Sequence, residues 1–350
     1  MTVRREGRTT IHDVAASAGV SSATVSRVIN GAPTVNPGLV ACVHAAIEAS
    51  GYVLNPNARA LRRRTSSMWR VVIPDLQNPF FVGLVAAIEE AASRHGASIV
   101  LSDSDERLDR EEVAIGAAIG EQAAGVVIAC ASETKSSVEP LEAVGIPVVL
   151  VDRRIRGYSG DAVFIDNRKA GELAAEHLMS RGCRRAACIA GRTEVSATED
   201  RLLGFRDALR EGGVELREDM VRRTDRRVDR GEASLRSLMR LPEPPDAIYV
   251  TSEPLTAGVF KAAQDEDLRM PDDLALIGTD DAPWMDMVRP GVTTVRQPVE
   301  QIGLMAGDMI VRRSKDPPPK PPERPRPRRP QAAPNPATGQ QTASQPPRAP

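Results

Sequence analysis

Asp280 and Asp281 stand side by side at the end of the apolar run "LALIGTDD". Paired carboxylates can divide general acid–base work between them. For that they need a nucleophile, a complementary acid or a metal nearby, and no such set can be assembled. The histidines His12, His44, His95 and His177 are isolated. The cysteines Cys42, Cys130, Cys183 and Cys188 form no CxxC pair and have no histidine partner at metal-ligand spacing, so they read as reduced thiols that mostly fill cores. GxSxG, P-loop, zinc-ligand and Ser/His/Asp patterns are all absent. No enzyme activity, metal or cofactor is therefore expected, and Asp280 reads better as a strand-end acid that hydrogen-bonds a ligand.

A second chemistry lies near the start, in "TTIHDVAASAGVSSATVSRVIN". Thr10 and Asp13 form a T-x-x-D capping pattern. Ile11, Val14, Ala15 and Ala18 follow at helical spacing, Gly19 breaks the helix, and Ser21 can cap a second one. There Val25, Val28 and Ile29 face inward, while Ser22, Ala23, Ser26, Arg27 and Asn30 share the opposite face. A third helix follows Asn36 and Pro37, with Leu39, Val43, Ala46 and Ile47 as its apolar stripe and Gly51 as its stop. Two short helices joined at a glycine, the second polar outward, suit a helix-turn-helix. Arg27 can donate to guanine O6 and N7, Ser22 can pair with several base edges, and Ala23 can meet a thymine methyl. Thr10, Ser21, Thr24, Ser26 and Asn30 are short donors suited to phosphates. The same grammar fits an ordinary pair of surface helices, and spacing alone does not choose between them.

These residues must be positioned by the rest of the chain, whose 350 residues are enough for two or three domains. Net charge is −1 overall, but residues 1–65 carry +5, residues 66–311 carry −13 and residues 312–350 carry +7. A basic head on an acidic body points to a head that meets phosphates. No secretory signal follows Met1, and no apolar run approaches the roughly 18–20 residues of a membrane span. A cytoplasmic protein without membrane contact is expected. "NPNARALRRRTSS" reads as a basic linker. From Trp69 short β-rich runs ("WRVVIPD", "ASIVLSDSD", "GVVIACA", "PVVLVDR", "AVFID") alternate with helices near Phe80–Arg94, Leu108–Glu121 and Val138–Val144. A second series holds helices at Lys169–Ser180, Arg201–Glu211, Gly231–Met239 and Leu255–Asp265, with strands in "RRAACIAG", near Met220, in "DAIYVTS" and in "LALIGTD". Such alternation predicts two tandem α/β domains with mostly parallel sheets. Ligands in such domains sit beyond the carboxyl ends of the strands, here polar with Asp75, Ser102–Asp105, Asp152 and Asp280. After Asp316 the chain has thirteen prolines and no large apolar residue, so disorder is expected there.

"IHDVAASAGVSSATVSRVIN" closely resembles the N-terminal signature of the lactose/galactose repressor (LacI/GalR) family, roughly D-V-A-x-x-A-G-V-S-x-x-T-V-S-R-V-L-N. "GYVLNPNARAL", "VVIPDLQNPFF", "VDRR", "DRLLGFRDAL", "LIGTDD" and "VTTVRQPVEQIG" follow in family order, so the likeness covers about residues 9–313. The resemblance implies a multidomain repressor: an all-α helix-turn-helix head (8–54), a hinge helix and linker (55–66), a periplasmic-binding-protein-like core (67–313) and a disordered tail (314–350). The core would have two doubly wound parallel-sheet subdomains, about 67–165 plus 293–313 and about 166–292. It would bind a sugar or related polyhydroxylated effector and form a homodimer, or a tetramer, on double-stranded operator DNA. Ser22, Ala23 and Arg27 match the family's base-reading positions. Asn55, Ala58, Arg59 and Leu61 match the hinge, where the leucine would wedge into the minor groove. Asn78, Phe80, Phe81, Asp103, Asp152, Arg201 and Asp280 match the effector pocket, the aromatic edge packing on a ring.

Four departures stand out. Pro56 follows Leu54-Asn55, where the family has Pro-Asn directly after G-Y-x. In "TSEPLTAG", Ser252 and Glu253 replace the family's Asn and Asp. Arg226 or Arg227 stands where an aromatic often stacks on the sugar, which implies an unusual or anionic ligand, or a weakened pocket. At the C-terminus the family's closing strand is missing, replaced by "KDPPPKPPERPRPRRP". That end is either diverged or out of frame, leaving a sheet one strand short, or an accessory basic tail that adds DNA affinity. Two other functions fit parts of the sequence: a transport solute-binding protein, which the core would suit but the basic head does not, and a sugar-processing enzyme, which lacks a catalytic set.

Overall fold

A computed structural model describes residues 9–29, 35–52 and 67–315. The N-terminal helices are α1 (Ile11–Ala18), α2 (Ser22–Ile29) and α3 (Pro37–Ser50). Thr10 and Asp13 close the capping box of α1, and Gly19, at φ 66°, ends it in the left-handed conformation that glycine adopts without a Cβ clash. Ser21 Oγ accepts from the Thr24 amide at 3.1 Å and so starts α2. Asn36 does the same for α3 through the Gly38 amide at 2.8 Å. Val14, Ala15, Ala18, Val25, Val28, Val43 and Ala46 pack into one small core. Leu39 departs from its expected place: it is exposed, and Val40 turns inward instead.

The remainder forms two lobes, each around a five-stranded parallel sheet. In the first lobe β1 (Met68–Ile73), β2 (Ser98–Asp103), β3 (Gly125–Ile128), β4 (Val148–Val151) and β5 (Asp161–Val163) stand in the order β2-β1-β3-β4-β5. Helices α4 (Pro79–Arg94), α5 (Leu108–Gly120) and α6 (Glu139–Ala143) connect them. In the second lobe β6 (Ala186–Ala190), β7 (Val221–Arg223), β8 (Ala247–Val250), β9 (Ala275–Thr279) and β10 (Thr293–Val295) take the order β10-β9-β8-β6-β7. Its helices are α7 (Asn167–Ser180), α8 (Ser196–Glu211), α9 (Val228–Met239), α10 (Glu253–Asp265) and α11 (Pro283–Met287). The central runs "GVVI", "VVLV" and "AIYV" are buried throughout, as strands covered on both faces must be.

The final helix, α12 (Val299–Lys315), returns to the first lobe, where Ile302, Ala306 and Ile310 join the core that holds Trp69 and Leu84. A bidentate pair from Arg313 to Asp161, at 2.5 and 3.1 Å, fixes its end. Residues 293–295, grouped above with the first subdomain, belong to the second: β10 pairs with β9. The chain thus changes lobes between β5 and α7 and again between β10 and α12. Among the described residues β10 has a partner on one side only. Ser314 and Lys315, expected in the disordered tail, instead close α12, and the rest of that tail, from Asp316 on, lies outside the described range.

Candidate DNA-binding face and effector cleft

On the head, Ala23 and Arg27 are exposed, and Ser22, Thr24 and Ser26 are half-buried on the same short helix. The donors flanking it already have partners. Thr10 gives its hydroxyl proton to Asp13 Oδ2 at 2.7 Å and its amide to the same oxygen at 2.8 Å. These bonds hold the Asp13 carboxyl below its ordinary range. Ser21 Oγ lies 2.9 Å from Thr24 Oγ1. Thr10 and Ser21 are therefore first of all capping groups, and Ala23 and Arg27 carry the outward chemistry. Asn30, Asn55, Ala58, Arg59 and Leu61 lie outside the described residues.

Between the lobes, at the carboxyl ends of the strands, is a cavity of about 1000 Å³. The first lobe contributes Asp75, Gln77 and Glu106, and the second Arg192, Thr198, Arg226 and Glu253, among others. None of Asn78, Phe80, Phe81, Asp103, Asp152, Arg201, Ser252 and Asp280 is on its wall, a correction with physical causes, whereas Asp75 and Asp105, expected at the strand ends, and Arg226, expected at the stacking position, are. Asn78 is buried as the N-cap of α4, its Oδ1 accepting from the Phe80 amide at 3.0 Å. Phe80 and Phe81 pack edge to face in the first core, with ring centroids 5.0 Å apart, so no aromatic edge is offered to a ligand. Asp103 accepts from the amides of Asp105 (2.9 Å) and Leu76 (3.4 Å) and shapes the adjoining loops.

Asp152, Arg201, Ser252 and Asp280 instead have buried side chains, and Asp152 and Arg201 act electrostatically on Asp280. Arg201 donates to Asn167 Oδ1 and to the Thr251 carbonyl, both at 2.8 Å. Its position depends on a close helix crossing: a Cβ at Gly171 of α7 would lie 1.9 Å from the Arg201 carbonyl oxygen, and one at Gly204 of α8 would lie 2.0 Å from that of Arg168. Asp280 accepts from Gln297 Nε2 at 2.5 Å, and burial raises its carboxyl above the ordinary range against the pull of Arg201. Ser252 Oγ and Gln297 Oε1 are buried without a hydrogen-bond partner. This group meets the cavity through charge, because Asp280 interacts with both Arg226 and Glu253.

Sequence reasoning missed Glu106, Arg153 and Gln297. Arg153 has a side chain 1% exposed, and it donates to Glu106 Oε1 at 2.7 Å and to the Cys130 carbonyl at 3.0 Å. Arg226 of the second lobe donates to the same Glu106 oxygen. Burial works to raise the Glu106 carboxyl, but Arg226 and Arg153 outweigh it and hold it down to about 2. Arg226, rather than the exposed Arg227, is the arginine that reaches across the cleft. The double arginine of "VDRR" and the acids of "SDSDER" were the available signals. The replacement Glu253 accepts from Trp284 Nε1 at 2.6 Å, and burial raises its carboxyl. Cys130 and Cys188 are buried as core fillers, Cys183 is half-buried and Cys42 is exposed. Among the described residues no cluster of metal-ligating side chains occurs, and no helix is long and apolar enough to cross a membrane.

Comparison with known proteins agrees with both halves. Residues 10–55 match the family "bacterial regulatory proteins, lacI family", and residues 175–331 match the periplasmic binding protein-like domain. Catabolite control protein A of Priestia megaterium is 34% identical over 87% of this chain and 92% of its own length. The ribose operon repressor of Halalkalibacterium halodurans is 34% identical over 87% of this chain and 90% of its own length. Among solved structures, the complex of the transcriptional regulator CelR with cellobiose is 31% identical, with TM-score 0.65, and covers 88% of this chain and 94% of its own. The lac repressor dimer bound to operator and an anti-inducer shares the fold at TM-score 0.79 and 24% identity, over 88% of this chain and 93% of its own. With a lacI-type head joined to a two-lobed ligand-binding core, and relatives alike over most of their length, the chain belongs to the LacI family of bacterial regulatory proteins.

Proposed function

We propose that this protein is a non-enzymatic, cytoplasmic repressor of carbohydrate-related genes. It acts as a homodimer whose heads read a pseudo-palindromic operator, and whose core cleft takes a sugar or related polyhydroxylated effector. The observation that carries this reading is the outer face of α2, where Ala23 and Arg27 stand exposed beside Ser22 on a helix whose other face is packed. A two-fold dimer matches the symmetry of such an operator. The lac repressor dimer on its operator and the CelR–cellobiose complex support the two halves of the assignment. We assign residues 8–54 to the head, 55–66 to the hinge and 67–315 to the core, with Leu61 as the minor-groove wedge and Asn55, Ala58 and Arg59 as the other hinge contacts. Thr10, Ser21, Thr24, Ser26 and Asn30 keep a role at the phosphates. Effector binding changes the angle between the lobes, and with it the spacing of the two hinges.

The test is a gel shift against the promoters of the protein's own and neighbouring operons. A salt-sensitive, sequence-specific shift is expected. Arg27→Ala should weaken it by about 1–3 kcal/mol and relax one operator position. No specific shift on any of these promoters, or full affinity in Arg27→Ala, contradicts the groove placement.

A further inference from the structure

Among the described residues three polar ties cross the cleft. Glu133 Oε1 of the first lobe accepts from the amide and the hydroxyl of Ser196 at the start of α8, both at 2.9 Å. Arg154 approaches Asp200 at 3.8 Å. Glu106 meets Arg226, and this is the only one of the three whose two residues line the cavity.

At this third tie two guanidiniums converge on one carboxylate oxygen. The side chain of Arg153 is 1% exposed and that of Arg226 is 13% exposed. Arg153 Nε, moreover, is buried with no hydrogen-bond partner. Two buried like charges this close repel each other unless an anion lies between them. Glu106 supplies one charge through one oxygen, and Asp152 Oδ2 supplies a second 3.8 Å from Arg153 Nε, too far for a hydrogen bond, so donors stay unused. Most other carboxylates around the cavity are occupied: Asp225 by Arg192, Asp229 by Arg227, Glu232 by Lys261 and Asp105 by Arg110. Their number therefore does not make the Arg153–Arg226 position hostile to an anion.

We propose that Glu106 is a built-in stand-in for an anionic group on the effector, and that the effector is a polyhydroxylated molecule carrying a phosphate or a carboxylate. The inference rests on the cleft being the effector site. The incoming anion takes the Arg153–Arg226 position, and Glu106 leaves it. A phosphate brings more charge and more acceptor oxygens than the single oxygen Glu106 offers, so it can satisfy donors Glu106 leaves idle. A neutral sugar brings hydroxyls but no charge and cannot displace Glu106. Exchange of Glu106 for the ligand also removes a lobe-to-lobe tie made within one chain, so occupancy and lobe angle are coupled.

The test uses the full chain at pH 7, with the wild type, Glu106→Gln and Arg226→Gln compared by calorimetry and thermal melting. The probes are inorganic phosphate, a hexose 6-phosphate, a hexuronate and the neutral hexose. Glu106→Gln should bind inorganic phosphate about tenfold more tightly than the wild type, and should prefer a charged hexose to the neutral one by at least that factor. The hexose 6-phosphate and the hexuronate distinguish a phosphate from a carboxylate ligand. Arg226→Gln should abolish the preference in an otherwise unaltered background, which keeps the test valid should Glu106→Gln not fold. Phosphate binding that Glu106→Gln leaves unchanged or weakens overturns the proposal. So does a neutral hexose that binds as tightly as its charged forms. In that last case the cleft remains an effector site and only the anionic class falls.

Discussion

Glu106 is held where it is by two positive charges, and this gives it a pH signature. Its folded carboxyl sits at about 2, against an ordinary value of 4.5, because Arg226 and Arg153 overcome the effect of burial. A group whose folded value is depressed stabilises the native state fully above its unfolded value and loses that contribution as the pH falls toward the folded one. The tie should therefore be intact at neutral pH and weaken progressively between about 4.5 and 2. The melting temperature of Glu106→Gln should lie below that of the wild type at pH 6, and the gap should narrow as both are titrated through that window. A gap of constant size down to pH 3 would show that Glu106 is not ionised in the tie. Arg226 is the counterpart: burial and the Arg153 charge lower it and Glu106 supports it, which is the electrostatic form of a site that wants an anion.

At the scale of elements, the α7–α8 crossing decides where Arg201 stands. Gly171 and Gly204 let the two backbones touch, and a methyl group at Gly171 would sit 1.9 Å from the Arg201 carbonyl oxygen, a separation no side-chain adjustment relieves. Gly171→Ala should destabilise the protein by about 1–3 kcal/mol or more and reduce effector affinity, because Arg201 loses its alignment with Asn167 and Thr251. Gly116, on α5, has nothing within 4 Å of its Cβ position, so Gly116→Ala should be neutral or stabilising by about 0.5–1 kcal/mol. Urea melts of the pair check this, and equal stability of the two variants would refute the crossing argument. Elements of this kind were largely legible. Continuous apolar runs located the central strands, and the helical stretches alternating with them located α4, α5 and α10. The first turn of α8, "SATED", escaped because it is polar and its cap comes from Glu133 in the other lobe. The Glu106–Arg226 contact joins residues 120 apart in the chain, and no local pattern encodes how two lobes meet. The family motif located Phe80 and Phe81 correctly but misjudged their use, since an aromatic at a helix start serves a core as readily as a ligand.

At the scale of the whole molecule, charge is divided so that the ends are basic and the middle is acidic. Residues 66–311, at −13, are repelled by a phosphate backbone, while residues 1–65 carry +5. Residues 316–350 hold six basic and two acidic side chains and no large apolar one. Such a segment can bind DNA through counterion release without reading sequence. It has few means of completing a sheet, although β10 is paired on one side only among the described residues. Truncation after Lys315 separates these roles. Weak binding to random duplex should become less salt-dependent, the slope of log K against log salt falling by about 0.9 for each phosphate that the shortened chain no longer neutralises. Operator binding should lose the same non-specific share and keep its sequence preference, because Arg27 and residues 55–66 remain. The melting temperature of the core should not change. A large drop in that temperature with an unchanged salt slope would reverse the assignment and make the segment a structural partner of β10. An unchanged melt with a shallower slope would make it a tether that offsets the acidic core's repulsion and keeps the head near DNA.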